Sequence, residues 1–251
     1  MTPFVILMGN LGYLRGINGC LAHHVRYAHR YFYCPPSVQE ACIRQVVGIM
    51  AREQPDLCCF VEIDKGSTGL ANFNQLEKLV SERYRFFDIE NKYGPLSRLR
   101  SLPLMRGKSN GFLATRKLPY EKIHFTHGTK KLIYKILIEP GITLFFAHFS
   151  LIANVRAQQL LQMRELVRET PGEIILMGDF NTHNGFGELA PLLHENNLVL
   201  LNKEDEPTFR FHNFRLPLDL CICSQAVAGR AELKVVPQPY SDHEALLLTL
   251  H

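Results

Sequence analysis

The chain has 251 residues, and a hydrophobic content of 46% is enough for a sizeable buried core. A formal net charge of +4 at pH 7 is compatible with an anionic partner but does not require one, since many ordinary soluble proteins are equally basic. The longest apolar stretch, from Ile142 to Val155, is interrupted by His148, Ser150 and Asn154, which excludes a membrane-spanning helix.

Apolar runs separated by turn residues predict a strand-rich chain. Helices and strands alternate early, whereas strands cluster in the middle and at the end. This order favours two mixed β-sheets covered by helices over one doubly wound parallel sheet. No linker or repeat interrupts the sequence, so residues 1–251 are predicted to form one domain. The predicted strands are Phe4 to Met8, Leu57 to Glu62, Gly111 to Thr115, Leu132 to Glu139, Ile142 to His148, Ile174 to Gly178, Leu218 to Cys223, Glu232 to Val236 and Ala245 to Leu250.

Three helices are predicted between these strands. They cover Val38 to Glu53, Ala71 to Arg83 and Asn154 to Glu169. In the first helix, Ser37 and Glu40 form a capping box at the start, and the Gln54-Pro55 pair marks the end. The inward face of this helix is predicted to carry Ile43, Val46, Val47 and Met50.

A basic loop is predicted after the second helix. The segment from Lys92 to Lys108 has no acidic residue, and its glycines and prolines indicate an exposed loop. It is either a lip that steers phosphate toward a site or an ordinary solvated loop, because runs of charge usually mean only exposure. Its cations are Lys92, Arg98, Arg100, Arg106 and Lys108.

The sharpest local feature is the sequence EIILMGDFNTH at residues 173–183, in which a buried strand ends at a loop. Loops at strand ends are where functional residues concentrate. Asp179 and Asn181 are two residues apart, so on an extended backbone their side chains point the same way and can address one substrate atom. The carboxylate can orient a water molecule or accept its proton, and the amide can hold the water or a phosphate oxygen. Gly, Asp and Asn also favour turns, so a simple turn is the alternative.

Other strands also end in polar residues. Glu62 closes a buried strand, where a carboxylate needs a partner or a cation, and a hard metal such as Mg2+ would supply one. Asn10 follows the first strand, and Asp242 and His243 precede the last one. His148 lies in the apolar sequence FFAHF, where a histidine by itself is more often a satisfied core residue.

The first residues and the cysteines bear on the cellular compartment. The opening sequence, MTPFVILMGN, lacks the basic region and the small-residue cleavage site of a secretory signal. Cysteine acts as a small hydrophobe in apolar runs, and no Cys-x-x-Cys pair is present, which argues against structural zinc. Reduced thiols and a cytoplasmic protein are therefore expected. The cysteines in such runs are Cys58, Cys59, Cys221 and Cys223.

Taken together, the polar residues occur in an order that resembles the endonuclease/exonuclease/phosphatase superfamily, which has the deoxyribonuclease-I-like fold. The resemblance runs from the first strand to the last, and its most specific parts are Gly-Asp-Phe-Asn at 178–181 and Ser-Asp-His at 241–243. Further matches are Asn110-Gly111, Arg156 with Gln159, and Thr208-Phe209. The order is Asn10, Glu62, His148, Asp179 with Asn181, Asp219, and Asp242 with His243.

The resemblance implies an α/β fold, a four-layer sandwich in which two packed mixed β-sheets are flanked by helices. It also implies hydrolysis of a phosphodiester or phosphomonoester by an activated water molecule, with Mg2+ or Mn2+ as the cofactor. Nucleic acid, DNA or RNA, is the first expectation for the substrate, because the basic loop and the positive net charge suit a polyanion. A monomer without an integral membrane segment is expected.

For the metal, the resemblance implies that Glu62 is a ligand and that Asn10 or Asp242 lies nearby. The ion would neutralise charge that develops on the phosphate and on the leaving oxygen. The residues after Asn10 are Leu11 and Gly12, so no second early carboxylate is evident. The number of metal ions is therefore left open.

For the reaction, the resemblance implies that Asp179 orients or deprotonates the attacking water, with help from Asn181. His243 would contact the phosphate, and Asp219 would hold its ring and favour the protonated form. His148 would be a second phosphate contact. These roles rest on the resemblance and not on the spacing of the residues.

The segment from Leu11 to Pro36 is longer than the connection expected there. Its aromatic and basic residues could stack on bases, lie at a lipid headgroup layer, or form a packed surface helix. Superfamily members also act on phospholipids, inositol phosphates and nucleotides, so the fold does not choose the substrate. A catalytically silent module that binds phosphate or nucleic acid is a further alternative, disfavoured because the full set of acidic residues is present.

Overall fold

Two six-stranded β-sheets face each other in the computed structural model, which describes residues 3–251 apart from the side chain of Glu195. The strands are β1 (Phe4–Asn10), β2 (Leu57–Asp64), β3 (Phe86–Asn91), β4 (Lys108–Ala114), β5 (Tyr120–His124), β6 (Leu132–Glu139), β7 (Ile142–His148), β8 (Glu173–Asp179), β9 (Leu198–Leu200), β10 (Phe209–Phe211), β11 (Phe214–Leu216), β12 (Asp219–Ser224), β13 (Ala231–Val236) and β14 (Ala245–Leu250). The first sheet has the order β13-β14-β1-β2-β4-β3 and the second β5-β6-β7-β8-β12-β9, while β10 and β11 form a separate hairpin. Parallel pairing joins β1 to β2 and β7 to β8.

The larger helices cover the outer faces of the sheets. The helices are α1 (Leu21–Arg26), α2 (Pro36–Glu53), α3 (Ala153–Arg168), α4 (Ala190–Glu195) and α5 (Gln225–Ala228), with short 3-10 helices at Gly12–Leu14, Ala28–Tyr31, Thr68–Leu70, Arg98–Ser101 and Phe186–Leu189. The apolar face of α2 packs on the first sheet, and those of α3 and α4 pack on the second. Across residues 3–251, every helix is too short or too polar to traverse a bilayer.

Alternating side chains build the layers, because successive residues of a strand point to opposite faces. In β1, Ile6 points into the core between the sheets and Leu7 points toward α2. In β7, Leu144 and Phe146 point into the same central core, whereas Phe145 points toward α3. The layers are therefore helix, sheet, sheet and helix. The predicted α/β four-layer sandwich is confirmed.

The nine predicted strands are confirmed, and β3, β5, β9, β10 and β11 are missed. Three of the missed strands, β3, β5 and β9, lie at sheet edges. An edge strand is partly open to solvent, so the sequences FFDIEN of β3 and YEKIH of β5 carry no continuous apolar run. The hairpin strands β10 and β11 have three residues each, which is too short for a recognisable period.

The helices at α2 and α3 are confirmed, but the helix predicted from Ala71 to Arg83 is wrong. Ala71 and Asn72 have backbone φ angles of 55° and 56°, in the left-handed region that ends a helix. The buried side chain of Gln75 accepts a hydrogen bond from the backbone N–H of Asp64 at 3.0 Å. These contacts hold the segment in turns, and they override its helical periodicity.

The start of α2 also differs from the prediction. The helix begins at Pro36 with Pro35 as its cap, and Ser37 lies inside the first turn without a capping hydrogen bond. Proline suits the first turn because its missing N–H would have no partner there. Val47 is 44% exposed, whereas Ile49, which the prediction leaves out of the inward face, is buried. The capping box and the inward position of Val47 are therefore wrong.

Candidate active site

Polar residues from both sheets meet at one edge of the sandwich. In the first sheet, β1 ends with Asn10, and β2 carries Glu62 near its end. In the second sheet, β7 and β8 end with His148 and Asp179, and Asp219 at the start of β12 pairs with Asp179 in the ladder. Asn10 joins the two sheets, since its Nδ2 donates to Oδ2 of Asp179 at 3.0 Å.

Asp179 is the hydrogen-bonding centre of this group. Its Oδ2 lies 3.1 Å from Nε2 of His148, and its Oδ1 accepts from the backbone N–H of Asn181 at 3.1 Å. Burial raises the pKa of Asp179, but the charges and hydrogen bonds of His148, His243 and Lys130 outweigh burial and hold the pKa well below its ordinary range. The carboxylate is therefore ionised throughout the neutral pH range.

His148 is buried and contacts both a carboxylate and a cation. Its Nε2 faces Asp179 and also contacts the ammonium group of Lys130. Burial and the charge of Lys130 lower the pKa of His148 to about 4, so the ring is neutral at pH 7. Nε2 donates to Asp179 when it carries the single ring proton, and in that tautomer Lys130 cannot donate to the same nitrogen. The geometry uses His148 to orient Asp179, and its contact with a phosphate stays a prediction.

Asn181 does not have the extended backbone that the sequence argument assumes. Its φ is 53°, and its side-chain Nδ2 donates to the carbonyl oxygen of Phe149 at 3.0 Å. Its backbone N–H donates to Asp179, as in a turn closed by an aspartate side chain. The structure thus brings Asn181 beside Asp179, but the reason given from strand alternation is wrong.

Asp219 and His243 form a buried pair. Nδ1 of His243 lies 2.7 Å from Oδ2 of Asp219. Burial lowers the pKa of His243, but the carboxylates of Asp219 and Asp179 outweigh burial and raise the pKa well above its ordinary range. Nε2 of the protonated ring lies 3.4 Å from Nδ2 of Asn10, and both atoms are donors. The Nε2–H group of His243 is therefore available to an acceptor outside the protein.

Glu62 lies at a β-bulge, where the pairing of β2 with β4 shifts between Phe60 and Ile63. Its φ of 52° turns the side chain away from the alternation of the strand. The side chain is 22% exposed, and Oε1 lies 3.5 Å from Nζ of Lys92. Burial raises the pKa of Glu62, but the charges of Lys92, His148 and Lys130 outweigh burial and lower the pKa to about 2.

Lys92 and Lys108 are buried, although both are predicted in an exposed loop; their exposed fractions are 5% and 7%. Nζ of Lys92 donates to the hydroxyl of Tyr13, and Nζ of Lys108 lies 3.5 Å from the centre of the Tyr13 ring. Both ends of the predicted loop are therefore part of the interior beside Glu62. No local sequence pattern distinguishes Lys92 and Lys108 from exposed lysines, because both contact Tyr13, which is far away in the sequence.

Arg156 and Gln159 hold the loops around the histidine. Arg156 makes two hydrogen bonds with Glu188, at 2.7 and 2.9 Å, and donates to the carbonyl oxygen of Ser150 at 2.9 Å. Gln159 accepts from the N–H of Ser150 and donates to the carbonyl oxygen of Lys130 at 2.9 Å. The two residues that match the family thus position the backbone of Lys130 and of the chain after β7.

Acidic residues at this edge offer two places for a metal ion. One oxygen or nitrogen each from Asp179, Asp219 and His243 lie within 4.8 Å of one another, although Nδ1 of His243 is already bonded to Asp219. Glu62 and Asp242 form the second place. The turn after β1 lies beside both residues, because the N–H of Leu11 donates to the carbonyl oxygen of Val61 at 3.0 Å and a Cβ atom at Gly12 would lie 3.9 Å from Oδ1 of Asp242. Two carboxylates near one turn favour a bound cation.

Gly178 gives the first testable prediction, because Gly178→Ala is expected to disrupt the strand that carries Asp179. A Cβ atom at Gly178 would lie 1.9 Å from the carbonyl oxygen of Ala147 in the neighbouring strand. We expect the free energy of unfolding to fall by at least about 3 kcal/mol in a urea titration. Gly187→Ala is the matched control, since a Cβ there meets no atom within 4 Å. Equal stability of both variants would contradict the close packing of these backbones.

Solved structures of other proteins share the fold. A humanized D. rerio TDP2 is 15% identical, covers 100% of both chains and gives a TM-score of 0.69. D. rerio TDP2 complexed with single strand DNA product is also 15% identical, with a TM-score of 0.66 over 100% of both chains. The human Nocturnin catalytic domain with bound sulfate anion is 16% identical, with a TM-score of 0.61 over 99% of this chain and 94% of that one. At these identities the likeness concerns the fold.

The family comparison covers most of the chain. A sequence model described as the Endonuclease/Exonuclease/phosphatase family matches residues 36–243. None of the curated proteins compared with the chain matches it significantly. The matched range holds every predicted site residue except Asn10, and the family and its enzyme class are those that the sequence predicts. The chain belongs to the endonuclease/exonuclease/phosphatase family of hydrolases that act on phosphoric ester bonds.

Proposed function

We propose that the chain hydrolyses phosphodiester bonds of nucleic acid with an activated water molecule and that a divalent metal, Mg2+ or Mn2+, assists the reaction. The observation that carries the proposal is the grouping of Asp179, Asp219 and His243 within 4.8 Å at the edge of the two sheets, with the pKa of Asp179 lowered and that of His243 raised by their neighbours. A carboxylate can orient the attacking water, and a protonated imidazole can bind the phosphate. A TDP2 complexed with single strand DNA product has the same fold, which supports nucleic acid as the substrate.

Asp179 orients the attacking water. Each oxygen of a carboxylate can accept two hydrogen bonds, so the bonds from Asn10, His148 and Asn181 leave one position for water. A pKa well below the ordinary range makes Asp179 a weak proton acceptor. This favours orientation of the water over its complete deprotonation before attack.

His243 binds the phosphate. Its Nε2–H group has no acceptor in the described part of the chain, and the Asp219 carboxylate keeps the ring positively charged. A donor that carries charge makes shorter and stronger bonds to phosphate oxygens than a neutral donor does. Lys130 lies half-buried beside His148; burial lowers its pKa, and the charges of Asp179 and Glu62 oppose this effect and favour the protonated amine. These fixed charges stabilise the negative charge that develops on the phosphate.

Glu62 is the residue that would hold the metal, with Asp242 as its neighbour. The Glu62 carboxylate is ionised and partly exposed, and only its Oε1 faces a cation, Lys92. Carboxylate oxygens are the ligands that Mg2+ and Mn2+ prefer, so the donor set fits. When bound, the ion would neutralise charge on the phosphate and on the leaving oxygen. Oδ1 of Asn10 accepts from the N–H of Gly12 at 3.1 Å, so its part in metal binding is secondary.

Removal of the metal gives a second prediction. Treatment with a chelator is expected to abolish turnover, and Glu62→Gln is expected to raise the Mg2+ concentration for half-maximal activity by about 100-fold, since even outer-shell changes cost 10-fold to 100-fold. Calorimetric titration of Mn2+ gives the affinity without turnover. Glu204→Gln is the control, since Glu204 is exposed and the change has the same chemistry. Unchanged Mn2+ affinity in Glu62→Gln would show that the metal binds elsewhere.

The decisive assay uses metal-stripped protein with and without Mg2+ or Mn2+. The panel contains DNA, RNA, nucleotide, phosphoinositide and sphingomyelin substrates. Metal-dependent cleavage of DNA or RNA supports the proposal. If only another substrate class is cleaved, that class is the substrate and nucleic acid is not. Binding of nucleic acid without turnover in any metal would favour a catalytically silent binding module.

A phospholipid or inositol-phosphate substrate is the second candidate, and exposed apolar side chains favour it. Val25, Phe32 and Leu96 are 72%, 77% and 98% exposed, and their segments contain several cations. Apolar side chains between cations are typical of proteins that lie on anionic bilayers. Turnover of lipid only when it is presented in vesicles would support this candidate.

A further inference from the structure

Arg15 lies between two aromatic rings. Its Cζ is 4.9 Å from the centre of the Tyr13 ring and 5.1 Å from the centre of the Tyr31 ring. Tyr13 is buried, whereas Tyr31 is 46% exposed, so the guanidinium group lies where the interior meets solvent. Tyr31 is fixed in turn, because its hydroxyl lies 2.8 Å from Nδ1 of His24. Stacking holds the plane of a guanidinium group and leaves its edges free to donate.

The backbones of Arg15 and Arg30 are held by each other's side chains. Nε of Arg15 donates to the carbonyl oxygen of Arg30 at 3.2 Å, and Nη1 of Arg30 donates to the carbonyl oxygens of Arg15 and Gly16 at 3.0 and 3.3 Å. Arg30 also lies over the Tyr27 ring, with its Cζ 3.8 Å from the ring centre. Arg30 is therefore a positioning residue, and the guanidinium of Arg15 is preorganised.

The outer nitrogens of Arg15 remain unused. Within residues 3–251, Nη1 and Nη2 of Arg15 make no hydrogen bond to the protein, whereas Nε makes one. The whole segment from Leu11 to Pro36 contains no acidic residue. A guanidinium with a fixed plane and free outer donors matches the geometry of a phosphate or carboxylate.

Three basic side chains surround Tyr13. The cations Lys92 and Lys108 both contact this tyrosine, as Arg15 does. The acids near them are Glu62 and Asp64, and Asp64 already accepts hydrogen bonds from the N–H of Gly66, and from the N–H and hydroxyl of Ser67. Burial lowers the pKa of Lys108 to about 7 and that of Lys92 to about 8, so the arginine carries the most secure positive charge of the three basic groups. An anion would therefore bind at Arg15 before the two lysines.

Arg15 lies next to the phosphate site described above. Tyr13 bonds to Lys92, whose ammonium group lies 3.5 Å from Glu62. On the other side, a Cβ atom at Gly12, three residues before Arg15, would lie 3.9 Å from Oδ1 of Asp242. The short segment that ends in Arg15 therefore lies beside both Asp242 and a residue linked to Glu62.

We propose that Arg15 binds a phosphate of the substrate that neighbours the phosphate being hydrolysed. The inference rests on the proposed function, because a strand of nucleic acid presents such a second phosphate at every step. It assigns a role to the unusually long segment from Leu11 to Pro36. The preferred substrate is a nucleic-acid strand with at least two phosphates, and one phosphate alone is bound less well.

The test is a calorimetric comparison of two ligands without turnover. Thymidine 3′,5′-bisphosphate and thymidine 5′-phosphate are titrated into the full chain in the presence of EDTA. One charge-assisted pair contributes about 1.5–3 kcal/mol, so the bisphosphate is expected to bind the natural protein about 10-fold to 100-fold more tightly. Arg15→Met is expected to reduce this preference below about 3-fold, by the same reasoning. Arg52→Met, at the far end of α2 and 59% exposed, should leave it unchanged.

Arg15→Lys keeps the charge and guards against a folding defect in Arg15→Met. Because lysine lacks the planar fork, the preference of Arg15→Lys for the bisphosphate is expected to lie between those of the natural protein and Arg15→Met. Absence of any preference in the natural protein, or an equal loss of affinity for both ligands in Arg15→Met, overturns the inference. Failure to cleave nucleic acid with Mg2+ would overturn the proposed function separately, because the calorimetric preference does not depend on turnover.

Discussion

Asp179→Asn is expected to lower kcat by about three orders of magnitude, within the range that a positioned acid or base contributes. The carboxylate accepts hydrogen bonds from Asn10 and Asn181 and faces His148. In the variant, the NH2 group of the asparagine side chain would replace one carboxylate oxygen, so it would face a hydrogen-bond donor and could accept nothing from it. The attacking water would then lose its acceptor, while the phosphate contacts at His243 would remain. KM should therefore change much less than kcat, as expected when an interaction made in the transition state is removed.

The measurement is steady-state cleavage of a labelled oligonucleotide at saturating Mg2+. Asp205→Asn is the matched control, since Asp205 is exposed in the turn between β9 and β10 and the change has the same chemistry. The melting temperature of Asp179→Asn must stay near that of the natural protein for the comparison to concern catalysis. A kcat within about 10-fold of the natural value would place the water-orienting group elsewhere, because general acid–base groups contribute at least 10²-fold.

The fold could be predicted because its central strands are continuous apolar runs. The sequence CCFV in β2 and the sequence FFA in β7 are buried on both faces, so their type is evident without any neighbour. Where tertiary contacts decide the conformation, the sequence misleads. Residues 71–83 have helical periodicity, yet left-handed backbone at Ala71 and Asn72 and the buried Gln75 hold them in turns.

The acidic residues and His243 of the candidate site could be predicted, whereas the burial of its lysines could not. Asp179 and Glu62 stand at the ends of apolar strands, where a charge is conspicuous. Lys92 and Lys108 bracket a basic segment, and a run of charge normally indicates solvent exposure. Their burial depends on Tyr13, which is far away in the sequence, so only the folded chain reveals it.

Asp219→Asn is expected to move the pH range of activity to lower pH. In the natural protein the Asp219 carboxylate, 2.7 Å from Nδ1 of His243, raises the pKa of the buried imidazole well above its ordinary range. The ring therefore stays protonated at pH 7 to 8 and can bind phosphate. Without the Asp219 carboxylate, burial is opposed only by the charges of Asp179 and Asp242, so the pKa of His243 falls. The basic limb of the kcat/KM profile should then move to lower pH by the same amount as the pKa of His243.

The size of the effect should itself depend on pH. Above its lowered pKa the ring of the variant is neutral, and we expect kcat/KM there to be about 10²-fold to 10³-fold below the natural value, in the range of one removed electrostatic contact. At lower pH the ring is protonated again, so the deficit should shrink. His243→Asn, which has no titrating ring, should show a deficit that is nearly constant with pH. If the profile of Asp219→Asn has the same limbs as that of the natural protein, the charge on His243 does not govern phosphate binding, and Lys130 becomes the residue to test.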